Sequence, residues 1–93
     1  MGQETTVRSG KSLADVLGAL AAGGMTCQLV MVDNQLVYPS APPPAQWTEA
    51  RLRTPGGMIT LRRRGDDVSL TVFGNADAAL LQARDRVAAA LGG

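Results

Sequence analysis

No histidine occurs in the 93 residues. The side chain whose ordinary pKa lies closest to neutrality is therefore missing, and with it every Ser-His or Cys-His pair. Cys27 is the single cysteine, so no internal disulfide forms, and its apolar sequence neighbours predict a buried, inert thiol. Metal ligands would have to come from Asp, Glu and that one thiol, at no recognised spacing. Asp66 and Asp67 are adjacent, and adjacent turn or strand residues point apart, so they read as turn residues and not as an acid–base couple. The expectation is a protein that is not an enzyme and uses no cofactor or metal.

Aromatic residues are almost as scarce: Tyr38, Trp47 and Phe73 complete the set. The core must then be aliphatic, built on Ala, Val and Leu. Lys11 is the only lysine among nine basic residues, and the formal net charge is +1. No stretch approaches 18 apolar residues, and no basic segment followed by an apolar one opens the chain. The expected location is the cytoplasm, away from membranes.

What is present is a well-patterned single domain spanning 1–93. Hydrophobic residues make up 45% and charged residues 18%, the balance of a globular chain, and a chain of this length buries roughly 60–65% of its unfolded surface. The strongest pattern runs from 48 to 74. Segments 48–54, 58–64 and 67–73 alternate, separated by Pro55-Gly56-Gly57 and by Gly65-Asp66. Ala50, Leu52, Thr54, Ile59, Leu61, Val68, Leu70 and Val72 fall on one face of the predicted meander. Arg51, Arg53, Arg62, Arg64 and Phe73 fall on the other. Pro-Gly-Gly is expected to supply a fixed φ and then positive-φ positions.

The remainder covers one side of that meander. Residues 1–10 are polar and predict a loose arm, with a short extended piece at 5–8. Ser12 and Asp15 have the spacing of a capping box, and Leu13, Val16, Leu17 and Leu20 follow a helical stripe. Gly18 leaves room for close approach to the sheet, and Gly23-Gly24 end the helix. Residues 26–32 predict a strand with Cys27, Leu29 and Met31 on one face and Gln28, Val30 and Val32 on the other. Asp33-Asn34 predict a turn into a partner strand at 35–38. The Pro-rich segment 39–46 is expected to cross the sheet as extended polyproline. Asn75 is placed as the cap of a last helix, with Asp77 in its first turn and Leu80, Ala83, Val87 and Leu91 as its buried stripe. The expected class is α+β: a five-stranded, mainly antiparallel sheet with two helices on one face, in the order α-β-β-β-β-β-α.

The arginine face is the surface with functional content. Arg51, Arg53, Arg62 and Arg64, with Phe73 beside them, are the candidate partner- or anion-binding residues, since a guanidinium presents a planar fork to carboxylates and phosphates. A solvated face with salt-bridge partners is the plainer alternative. Nucleic-acid binding is the less favoured functional reading, because open-sheet binders of single strands add aromatic stacking and only Phe73 lies on this face. Gly10-Lys11-Ser12 shares the end of a phosphate-loop motif but lacks the upstream glycine and strand, and reads as a helix cap. Pro39-Ser40-Ala41-Pro42 matches a short proline motif found in viral late domains, yet a stiffening crossing accounts for it better.

The element order, with Val30-Met31-Val32-Asp33-Asn34 leading to Leu36-Val37 and then Gly57-Met58-Ile59-Thr60-Leu61 through Leu91, resembles the roadblock/LC7 family. That family has a helix between its second and third strands, where this chain has 39–46. The resemblance implies a non-catalytic, dimerising platform that serves small GTPases or motor and polarity complexes. The expected partners are accordingly a protein or a second copy of the chain.

Overall fold

The computed structural model describes residues 3–38, 43, 46–72 and 77–92. Two helices cover one face of a six-stranded sheet whose neighbouring strands are all antiparallel, in the order β1-β6-β5-β4-β2-β3. The class is α+β, and the five strands expected from the alternating segments are all present.

The sixth strand, β1 (Gln3–Arg8), contains the extended piece expected at 5–8 and corrects the loose arm expected around it. Its register, Thr5 opposite Leu70 and Val7 opposite Val68, turns Thr5 and Val7 toward the helices and Glu4, Thr6 and Arg8 to the other face. Polar composition hid the strand. Pairing satisfies backbone groups of β6 (Asp67–Val72) that the meander alone would leave bare.

Helix α1 (Leu13–Ala22) begins as predicted, with the Ser12 hydroxyl accepting from Asp15 N–H at 3.1 Å. It ends in a Schellman motif. Gly24 sits at φ +88, its N–H donates to Ala21 O at 3.0 Å, and Met25 N–H donates to Leu20 O at 2.9 Å. Gly18 does not approach the sheet: a Cβ there would meet nothing within 4 Å, so the position faces solvent.

Strand β2 (Gln28–Val32) starts after Cys27, and a bulge between Leu29 and Met31 breaks its alternation. The extra residue, Val30, returns Leu29 and Val32 to the same buried face, opposite Leu52 and Ala50, where strict alternation had separated them. Asp33 (φ 50) and Asn34 (φ 66) then form a two-residue turn of the I′ kind into β3, which is only Gln35–Leu36. Asp33 also ties this turn to the start of β4: its Oδ1 accepts from Thr48 N–H (2.9 Å) and Glu49 N–H (2.8 Å).

The meander is β4 (Glu49–Thr54), β5 (Gly57–Arg64) and β6. In its first turn only Gly57 takes a positive φ, 137. Gly56 is required for a different reason: a Cβ there would lie 2.8 Å from the Ala79 backbone. In the second turn Gly65 has φ 58. Helix α2 (Ala78–Gly92) is capped by Asp77, whose Oδ1 accepts from Leu80 N–H at 2.9 Å, so Asp77 takes the role expected of Asn75. Asn75 lies outside the described residues, as do Phe73 and most of the 39–46 crossing, of which Pro43 and Gln46 alone are described.

The core gathers Leu13, Val16 and Leu20 of α1 and Leu80, Ala83, Val87 and Leu91 of α2 against Leu52, Ile59, Leu61, Val68, Leu70 and Val72. It is aliphatic apart from Met25 and Trp47, the latter buried at the start of the meander. Among the described residues no helix is long and apolar enough to cross a membrane.

Candidate functional site: the open face of the sheet

Because both helices pack on one side, the other side of the sheet is covered by no described element. Strand alternation places Glu49, Arg51 and Arg53 of β4, Met58, Thr60, Arg62 and Arg64 of β5, Asp67, Ser69 and Thr71 of β6, and Glu4, Thr6 and Arg8 of β1 on this face. The four arginines picked out in the sequence thus share one surface on adjacent strands. Phe73 lies outside the described residues.

Their register avoids direct opposition of like charges. Arg51 stands across from Thr60, Arg53 across from Met58 and Gln28, Arg62 across from Glu49, and Arg64 across from Asp67. Opposite charges across a strand pair help the sheet that like charges would weaken. Glu49 draws in two guanidinium groups, Arg62 at 2.9 Å and Arg51 at 3.8 Å. Among the described residues Arg53 and Arg64 form no ion pair, which leaves their forks available to an outside anion.

Between these strands lies a shallow depression of about 410 Å³ lined by Glu4, Thr60, Arg62, Arg64, Ser69 and Thr71. Its donors are three hydroxyls and two guanidinium groups, and its rim carries the Glu4 carboxylate. Such a surface suits oxygen-rich anionic groups, held by hydrogen bonds and charge. Among the described residues no three His, Cys, Asp or Glu side chains converge as a metal site would require.

The arginine that sequence reasoning passed over is Arg63. Alternation from Ile59 and Leu61 carries it to the helix-covered face, where it is half-buried. Its guanidinium donates to Ser9 O at 3.2 Å and lies 5.4 Å from the centroid of the Trp47 ring. Arg63 therefore closes the end of the core and contributes nothing to the open face.

Cys27 sits away from this face, beside an apolar groove of about 420 Å³ that includes Leu17, Leu29, Val37 and Tyr38. It is half-buried and not fully buried. Burial pushes its thiol pKa up, and the nearby Arg86 guanidinium partly opposes the shift. Arg86, five dozen residues along the chain, is the charge that sequence neighbours could not reveal; it also donates to Gly23 O.

Comparisons with protein-family models, with curated proteins and with solved structures find no match.

Proposed function

We propose that this chain is a non-catalytic protein-interaction or dimerisation module, acting as an adaptor or regulatory subunit of a larger complex, with the open sheet face as its docking surface. The observation that carries the reading is the asymmetry of the sheet. One face is sealed by α1 and α2, while the other presents arginines, hydroxyls and Met58 with no described element over them. Leu36, 76% exposed and paired with Met31, which stands across from Arg51, extends this surface to the β3 edge with apolar contact area. The roadblock/LC7 resemblance points to the same class of role.

The test is co-purification from native cells with wild-type protein and with the double variant Arg51→Glu, Arg53→Glu, alongside light scattering. A partner or second copy retained by the wild type and lost by the variant supports the reading. A strict monomer that retains nothing overturns it.

A second reading is favoured by Arg53 and Arg64, which form no ion pair among the described residues: binding of nucleic acid or another polyanion. Affinity for labelled single-stranded and duplex DNA should then fall steeply between about 50 and 200 mM salt. Binding that is absent, or flat across that range, rejects it.

A further inference from the structure

The two edges of the sheet are built differently. At one end β3 is two residues long, too short to template another strand. At the other end β1 runs six residues, contains no proline, and turns no charge toward the helices. Natural sheets usually blunt or cover such an edge, and no described strand pairs with the outer side of this one.

The outward hydrogen-bonding groups of β1 can be identified. Ser9 N–H donates to Asp66 O at 2.7 Å. Ladder bonds in an antiparallel pair recur at every second residue, so Val7 and Thr5 also bond to β6. Glu4, Thr6 and Arg8 therefore direct their N–H and C=O away from the sheet. Their side chains are the ones on the open face, with Thr6 Oγ1 3.2 Å from Ser69 Oγ.

These three residues are self-complementary. With Thr6 placed opposite Thr6 of a second, antiparallel copy, Glu4 falls opposite Arg8 and Arg8 opposite Glu4. All three outward residues then sit in hydrogen-bonded pairs, and each end of the contact matches opposite charges. Shifting the copy by two residues in either direction keeps the faces aligned but loses both charge pairs. Above the strand, α2 packs over β1 and β6. Its Arg86 reaches Gly23 of α1, so at about 100° per residue the opposite flank, with half-buried Leu81 and Ala88, turns to the β1 side.

We infer that β1 pairs with β1 of a second copy, antiparallel about Thr6, to join two sheets into one across a two-fold axis. The inference deepens the dimerisation reading above and rests on it, but assigns the contact to an edge and a register. A strand-edge contact is a small interface, so the dimer is expected to dissociate with a Kd on the order of 10 µM.

Sedimentation of the full chain from roughly 1 to 200 µM reads the equilibrium. Glu4→Arg and Arg8→Glu alone should each raise Kd at least about tenfold, and the double variant should restore it, because the exchanged charges face each other again. Thr6→Pro should abolish the dimer, since the N–H it removes points away from β6; a circular-dichroism melt checks that this variant still folds. In a Cys27→Ser background, Thr6→Cys should form a disulfide-linked dimer on oxidation, because paired residues there bring Cα atoms to about 5.5 Å. Val7→Cys, which has no symmetric partner, should not. A wild-type monomer throughout the range overturns the inference while leaving docking of other proteins on the open face to the co-purification test. A dimer indifferent to the charge variants and not trapped by Thr6→Cys overturns the edge and register alone.

Discussion

Strand β5 carries two surfaces that obey different physics. Ile59 and Leu61 are fully buried against the helices, whereas their neighbours Met58, Arg62 and Arg64 stand exposed on the other face. The covered face is constrained by volume: every position touches a packed core, so a lost methylene leaves a cavity. The open face is constrained only by charge register, and Glu49 satisfies much of that by drawing in Arg51 and Arg62. The lesson is that the stability of this domain and any docking it performs are written on alternate residues of the same strands. They can be changed almost independently.

The sharpest way to break that separation is to truncate two consecutive residues. Leu61→Ala should lower unfolding free energy by about 2–5 kcal/mol. Arg62→Ala, which loses one surface ion pair, should cost less than about 1 kcal/mol. Chemical denaturation of both variants measures the contrast. Similar losses would mean that the open face is packed as tightly as the core, and the two-surface description would fail.

The two meander turns sharpen the comparison at a smaller scale. Gly56→Ala forces a methyl to within 2.8 Å of the Ala79 backbone, on the covered side, so α2 or the turn must shift. The expected loss is about 1–3 kcal/mol. Gly65→Ala meets no atom within 4 Å and carries only the strain of a left-handed residue at φ 58, roughly 1 kcal/mol. The reverse ranking in thermal melts would show that α2 does not rest on the first turn.

Much of this division was legible in the sequence, and the failures have specific causes. Alternation located the meander strands and put the four arginines on one face, because period-2 patterning is a direct image of a half-covered sheet. Caps at Ser12 and Gly24 were readable because short-range hydrogen bonding fixes them. The bulge at Val30 was not readable. Val30, Met31 and Val32 are all apolar, so one extra residue leaves no mark in the pattern while bringing Leu29 and Val32 to the same face. Strand β1 was legible only as a short extended piece at 5–8, because Gln3–Arg8 holds a single aliphatic residue, Val7, and its pairing with β6 is a contact across some sixty residues. Gly56 looked like a residue chosen for its φ, and the helix that requires it lies more than twenty positions later. In the site itself the surface was visible. The register added which arginine each acidic neighbour faces, Glu49 across from Arg62 and Asp67 across from Arg64.

Arg63 and Arg64 offer the finest test, since they are the same residue type one position apart on opposite faces. Arg63 lies over Trp47 and donates to Ser9 O, holding together the β1–α1 connection and the start of β4. Arg63→Ala should therefore cost about 1–2 kcal/mol and shift the emission of Trp47, the only tryptophan. Arg64 has no such contacts among the described residues and lines the open depression. Arg64→Ala should leave stability and tryptophan emission unchanged while weakening whatever anionic group the open face holds. If Arg64→Ala perturbed Trp47 and Arg63→Ala did not, the assignment of these two side chains to faces would be reversed, and with it the phase of β5 that places every other arginine on the docking surface.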